Sequence, residues 1–166
     1  MRRFIIAESG ADLTSHAGLG LIGPALERCT DLATDAAAIA PLRSDAMSHR
    51  DLLASYVGLL CLGKNDFEAI TGFLEDAFFQ AALGLQRAPS EGILRQRMDA
   101  HADAYRTAIV DASLAFLSNV PAPVTPLANG LVALDADTAP LDNSGSCKEG
   151  VSYTYKGYDG FTPMAA

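Results

Sequence analysis

The sequence predicts an α+β fold in which a helical N-terminal region precedes a shorter region of strands. Apolar residues recur at helical spacing over most of the first 118 residues. The next segment contains three prolines, which neither continue a helix nor pair in a central strand. Short apolar and Tyr/Thr-rich runs follow it. We therefore expect a helical domain at 1–118, a Pro-rich linker at 119–129 and a strand-containing domain at 130–166.

The helical region divides into segments whose ends carry recognisable signals. The clearest helix runs from Ser48, an N-cap residue type, to Leu62, and Gly63 is a natural stop. Asn65 is expected to cap another helix, with Glu68 at its third position. Further helices are expected at about 17–29, Asp76–Leu83, Pro89–His101 and Asp103–Ser118. Pro24 predicts a kink in the first of these, or a later start. We expect an irregular terminus at 1–16 and an alanine-rich segment that ends at Pro41.

Composition places the chain among globular proteins, with 49% hydrophobic and 19% charged residues. No apolar run is long enough for a membrane span. The three cysteines are widely spaced and suit a reducing cytosol, so we expect a cytoplasmic protein. The three histidines have no ligand spacing and are expected to be surface or cap residues. They are His16, His49 and His101.

A helix-turn-helix-like unit is the candidate DNA-binding region. Three short helices with Gly-containing turns precede a capped helix that carries Arg95, Gln96 and Arg97. Arg can hold phosphates, and Arg and Gln can read base edges. Lys64 and Arg87 are weaker candidates of the same kind. The formal charge of −8 and the absence of any basic region favour the alternative, an ordinary solvated helix face.

The apolar run from Gly130 to Thr138 is predicted to be a strand that carries two carboxylates. Because side chains alternate along a strand, Asp135 and Asp137 would share one face. Two adjacent carboxylates repel each other unless a divalent metal ion or a shared proton lies between them. The alternative is a polar strand end at which both carboxylates are solvated.

Several blocks of the chain, taken in order, resemble bacterial insertion-sequence DDE transposases of the group-1 type. Those proteins typically have a strand that ends in Asp-x-Asp, followed by Asp-Asn-Ser-Gly, Lys-Glu-Gly-Val and Tyr-Lys-Gly-Tyr-Asp-Gly. The matching stretches here are 134–137, 142–145, 148–151 and 155–160. The similarity extends upstream through 63–70 and 89–97 and covers most of the chain from about Thr14.

The resemblance implies a helical DNA-binding region followed by the first strands of a ribonuclease-H-like catalytic domain. A second strand at Ser152–Tyr158 would then lie antiparallel to the Asp-x-Asp strand. In that family three carboxylates hold two Mg²⁺ or Mn²⁺ ions for DNA strand cleavage and transfer. The first of the three would be Asp137, with Asp135 as the competing assignment. Implied partners are the terminal inverted repeats of an insertion sequence, contacted also by Lys148 and Lys156, and further transposase copies in a homo-oligomer or mixed oligomer.

The chain departs from the family pattern after the Asp-x-Asp strand. It ends 29 residues after Asp137, without the later Asp and Glu of the family. Cys147 and Tyr153 stand where polar or basic residues are expected. We therefore expect a truncated transposase, located in the bacterial cytoplasm with the nucleoid, that neither cuts nor joins DNA alone.

Two other functions are compatible with these residues. One is a catalytically dead, helical DNA-binding remnant that inhibits transposition by occupying element ends or by forming mixed oligomers. The other is an Asp-dependent phosphatase of the haloacid-dehalogenase type, in which Asp135 would be the nucleophile and Asp137 the general acid. That class needs Thr or Val two residues after the second Asp, and Ala139 stands there.

Overall fold

The computed structural model describes residues 10, 14–39, 47–121 and 125–165 and shows an α+β protein. The sequence predictions for most of the 1–16 terminus, for Pro41 and for Pro123 lie outside the described residues. The helices and strands are α1 (Leu19–Cys29), α2 (Leu32–Ala37), α3 (His49–Cys61), a 3-10 helix (Phe67–Phe73), α4 (Ala77–Leu83), α5 (Glu91–Ala100), α6 (Ala102–Asn119), β1 (Asp137–Thr138), β2 (Leu141–Asp142), β3 (Ser152–Tyr153), β4 (Asp159–Phe161) and β5 (Met164–Ala165).

The chain forms two compact units, Met1–Pro121 and Ala122–Ala166. The first contains all the helices just named, and the second contains the five strands. The division falls inside the proline-containing segment 119–129. Among the described residues, no helix has the length and apolar character needed to cross a membrane.

Side-chain caps fix where several helices begin. The Ser48 hydroxyl accepts a hydrogen bond from the Asp51 backbone N–H (3.0 Å), and Ser90 does the same for Ile93 (3.3 Å). Each cap satisfies one of the backbone donors that the first helical turn leaves without a partner. Helix α4 ends at Gly84, whose φ of 63° is a left-handed conformation that glycine adopts without strain.

The segment after Gly63 differs from its prediction. Its cap is Asp66 rather than Asn65, since the Asp66 carboxylate accepts a hydrogen bond from the Ala69 N–H at 3.0 Å. The helix that follows is a 3-10 helix rather than an α-helix. Thr71 and Gly72 have low α-helical propensity, which is a physical reason for the shorter, tighter helix.

The core of the helical unit consists of two apolar clusters. The larger cluster joins α1, α3, the 3-10 helix, α4 and α5 through fully buried side chains that include Leu52, Phe79 and Leu94. The Phe73 and Phe79 rings stack with their centroids 4.6 Å apart. The smaller cluster packs α6 against α2 and α3. The apolar side of α6 is only partly buried, because Tyr105 and Ala112 are buried whereas Phe116 is 37% exposed.

Helices α1 and α4 approach each other closely at Gly23. A Cβ placed on Gly23 would overlap the carbonyl oxygen of Ala82 and lie 2.9 Å from its carbonyl carbon. Glycine at this position therefore allows the two backbones to touch. Pro24 lies inside α1 rather than at its start.

The predicted strand at 130–138 is largely absent. Only Asp137 and Thr138 pair, with Ala165 and Met164 of β5. The preceding side chains are exposed, including Val132 (56%) and Leu134 (81%). No described strand pairs with residues 131–136, and an extended segment without a partner strand lacks the hydrogen bonds that stabilise a sheet.

The predicted second strand is also shorter and pairs differently. Strand β3 lies beside β4, and β4 lies between β3 and β2, all antiparallel. The chain turns between Thr154 and Tyr158, where Gly157 has a φ of 89°. This turn replaces the continuous strand expected at Ser152–Tyr158, and β1 is not a neighbour of β3.

Candidate functional site

The two carboxylates predicted as metal ligands lie on exposed backbone. Asp135 precedes β1 and is not part of a strand, whereas Asp137 is the first residue of β1. The two side chains therefore do not share a strand face, because the strand begins after Asp135. Asp137 accepts a hydrogen bond from the Thr138 N–H at 2.7 Å. Within the described parts of the chain, no group of three His, Cys, Asp or Glu side chains is placed to hold a metal ion.

Asp142 and its neighbours form a turn. The Asp142 carboxylate accepts a hydrogen bond from the Ser144 N–H at 2.8 Å. This backbone hydrogen bond, with a second contribution from the Ser144 side chain, lowers the pKa of Asp142. Gly145 follows with a φ of 74°. The Asp-Asn-Ser-Gly block thus has a local structural explanation, a side-chain-stabilised turn after β2.

Helix α5 presents Arg95 beside the 3-10 helix. The Arg95 guanidinium is 2.8 Å from the Glu91 carboxylate and lies 5.4 Å from the centre of the Phe67 ring. The hydrogen bond to Glu91 raises the pKa of Arg95. Two contacts hold the guanidinium in place, and the adjacent carboxylate offsets its positive charge.

The other candidate DNA contacts of the helical unit differ from Arg95 in their burial and in the part of the fold that carries them. Arg97 is half-buried and donates to the Met47 carbonyl at 3.4 Å, at the start of α3. Gln96 is exposed on α5, and Lys64 is half-buried after α3. Arg87 is exposed in the loop before α5. Of the five, Arg95 and Gln96 are therefore the exposed side chains on the helix itself.

The two predicted lysine contacts lie in the second unit, and both are exposed. Lys148 is in the loop before β3. Lys156 is in the turn between β3 and β4, where its Nζ lies 5.5 Å from the centre of the Tyr155 ring. Asp159, at the start of β4, pairs in register with Tyr153.

A buried contact between His49 and Tyr105 was not predicted from the sequence. His49 is only 6% exposed, and its Nδ1 lies 2.6 Å from the Tyr105 hydroxyl oxygen. The His101 ring meets the His49 ring edge-on at 4.8 Å. Burial raises the pKa of Tyr105, and the nearby charge of Arg97 lowers it by less. His49 is thus not a surface residue, and no local pattern signalled this contact across 56 residues.

A second buried polar group joins α3 to the loop after α4. Asp51 is 6% exposed and lies 3.3 Å from Arg50. Arg50 also donates to the Gly84 carbonyl at 2.9 Å, and the Gln86 N–H donates to Asp51 at 3.4 Å. Each member has a partner within the unit, which indicates a structural role.

Two surface depressions lie in the helical unit. One, of about 390 Å³ and with a lining of mixed polarity, is bounded by α1, α2 and Arg50. An apolar groove of about 340 Å³ runs between α6 and α1–α3, with Ile109, Phe116 and Leu117 on its α6 side. Neither depression includes a residue predicted to bind metal or DNA.

Comparisons with known proteins identify no relative of this chain. It matches no family model, no curated protein and no solved structure. The likeness to group-1 DDE transposases therefore rests on the residue blocks of the sequence.

Proposed function

We propose that this chain is part of a DDE transposase and contributes its DNA-binding helical region and the first catalytic Asp. The observation that carries the proposal is the ordered series of blocks 134–137, 142–145, 148–151 and 155–160. Several blocks in one order are more specific than any single motif. The ribonuclease-H-like fold of the second unit is part of this proposal.

The genomic surroundings of the gene test the proposal directly. A transposase gene should lie between short terminal inverted repeats, and further coding sequence nearby should supply the later Asp and Glu. Absence of both the repeats and the additional coding sequence would count against a transposase origin.

Helix α5 is the DNA-contacting element in this proposal. Arg95 is held beside Phe67 and Glu91, so its guanidinium needs little further ordering before it meets a phosphate. Gln96, exposed next to it, would reach a base edge. The overall charge of −8 means that affinity depends on these few side chains rather than on a basic surface.

Binding to a duplex made from the flanking repeat tests this role. The affinity for DNA falls as the salt concentration rises. Replacing Arg95 with Ala should make the fall of log affinity with log salt shallower by about 0.9, the value for one lost phosphate contact on duplex DNA. Arg106→Ala is the matched control, because Arg106 is also an exposed helical arginine paired with an acid, Asp103, at 3.7 Å. Equal effects of the two substitutions would refute a specific role for α5.

In this proposal, catalysis requires other carboxylates in addition to that of Asp137. Mg²⁺ or Mn²⁺ would bind Asp137, with Asp135 as the competing ligand, together with the family's later Asp and Glu. The purified chain with either metal ion should therefore leave supercoiled plasmid intact. Metal-dependent nicking that is lost in Asp137→Asn would show that the chain is catalytic by itself.

A catalytically inactive DNA-binding inhibitor is the second candidate. It is favoured by the self-contained core of the helical unit, with Leu52, Phe79 and Leu94 fully buried within it. Residues 1–121 should then retain duplex binding and reduce transposition when expressed beside an intact transposase. Loss of duplex binding in this shorter chain would exclude the inhibitor role of the helices.

A further inference from the structure

The turn between β3 and β4 is held by its own hydrogen bonds. Thr154 is 5% exposed, and both its N–H (2.9 Å) and its hydroxyl (2.8 Å) donate to the Tyr158 carbonyl. The Gly157 N–H donates back to the Thr154 carbonyl at 3.0 Å. Gly157 has a φ of 89°, which other residues rarely adopt. The residues of this turn are therefore presented on a hydrogen-bonded backbone.

Two tyrosines at this turn are exposed, and a third one is not. Tyr153 is 75% exposed and Tyr155 is 68% exposed. Tyr158 is half-buried, and its hydroxyl donates to the Pro140 carbonyl at 3.2 Å. The fold of this unit thus uses Tyr158, whereas Tyr153 and Tyr155 leave most of their surface accessible. Large exposed aromatic side chains on an ordered turn are typical of a binding surface.

We propose that Tyr153, Tyr155 and Lys156, here called the tyrosine tip, bind single-stranded DNA by stacking unpaired bases. Every base offers a flat face to an aromatic ring, and Lys156 beside Tyr155 supplies a cation for the adjoining phosphate. This inference rests on the proposed function and deepens it, since it names single-stranded DNA as the ligand of the second unit. In this proposal the tyrosine tip binds single-stranded DNA, whereas α5 binds duplex DNA.

The charges around the tip favour stacking over phosphate attraction. Lys156 is the cation of the tip, and Asp159 faces Tyr153 across the β3–β4 pair. Residues 122–166 carry two lysines and five acidic residues, so a long stretch of phosphates would gain nothing from the overall charge of this unit. Binding should accordingly depend on the aromatic rings and only weakly on salt.

Binding of a fluorescent oligothymidylate by the full chain tests the proposal. Tyr153→Ala and Tyr155→Ala should each weaken binding about fivefold or more, whereas Tyr155→Phe, which keeps the ring, should bind like the unaltered chain. Lys156→Ala should lower the salt slope by about 0.7, the value for one phosphate contact on single strands. Because the chain has five tyrosines and no tryptophan, quenching of tyrosine fluorescence reports stacking directly.

The outcomes separate this proposal from the transposase assignment. Oligothymidylate binding that needs the rings supports the tyrosine tip, whether or not the flanking-repeat duplex binds α5. No oligothymidylate binding, or binding unchanged in the Tyr153→Ala/Tyr155→Ala double variant, overturns the tip proposal even if duplex binding is intact. A protein partner lost from the double variant, with oligothymidylate binding unchanged, would reassign the tip to protein recognition. Circular dichroism confirms that each variant is folded.

Discussion

Replacing Gly23 with Ala should destabilise the helical unit, although alanine is the better helix former. The added Cβ would overlap the Ala82 carbonyl oxygen and lie 2.9 Å from the carbonyl carbon and 3.2 Å from the Leu83 Cα. These are backbone atoms, so relief requires α1 to move away from α4. Such overpacking costs roughly 2–3 kcal/mol. Replacing a helical glycine returns at most about 1 kcal/mol. The net loss should be about 1–2 kcal/mol.

Gly20→Ala is the matched control on the same helix. A Cβ on Gly20 would meet only the Phe78 ring, at 3.9 Å, which is ordinary van der Waals contact. This substitution should leave stability unchanged or raise it by up to about 1 kcal/mol. Urea unfolding followed by far-UV circular dichroism measures both variants. A Gly23→Ala protein as stable as Gly20→Ala would refute the close contact between α1 and α4.

Three further predictions concern the cap of α5, the buried side of α5 and the buried tyrosine of α6. Ser90→Ala removes the α5 cap and should cost about 1 kcal/mol in urea unfolding, whereas Ser90→Asp, which keeps an acceptor, should not. Leu94→Ala empties a fully buried position and should cost about 2–5 kcal/mol, and a loss below 1 kcal/mol would contradict that burial. Because burial raises the pKa of Tyr105, the folded chain holds that proton more tightly than the unfolded chain, so stability should fall as pH rises above about 10. Tyr105→Phe should reduce this fall, although it also removes the hydroxyl that contacts His49.

Local signals allowed most helix ends to be predicted from the sequence. Ser48 and Ser90 act as caps through the residue three positions later, and Gly84 ends α4 because it adopts a left-handed conformation. Each of these contacts spans only a few residues, so the sequence contains it in full. The α+β class followed from the same local patterns.

Contacts between distant residues could not be predicted in this way. Asp137 pairs with Ala165, and the alternation of apolar residues before it gave no information about whether a partner strand would form. His49 meets Tyr105 across 56 residues. Arg97 lies close in sequence to Arg95, yet packing turns it towards Met47. The contact of Arg97 with Met47 could therefore not be predicted from the sequence, and the two predicted metal ligands do not lie on a common strand face.

The exposed run before β1 makes the chain open to proteases. Proteases bind extended backbone whose hydrogen-bonding groups and side chains are accessible, and residues 131–136 have no strand partner among the described residues. Leu131 (63% exposed) and Leu134 (81%) offer apolar side chains to a protease specificity pocket. A single cut here would fall within the second unit and leave the core of the helical unit intact. Limited proteolysis would thus yield an N-terminal fragment that keeps every residue of the two apolar clusters.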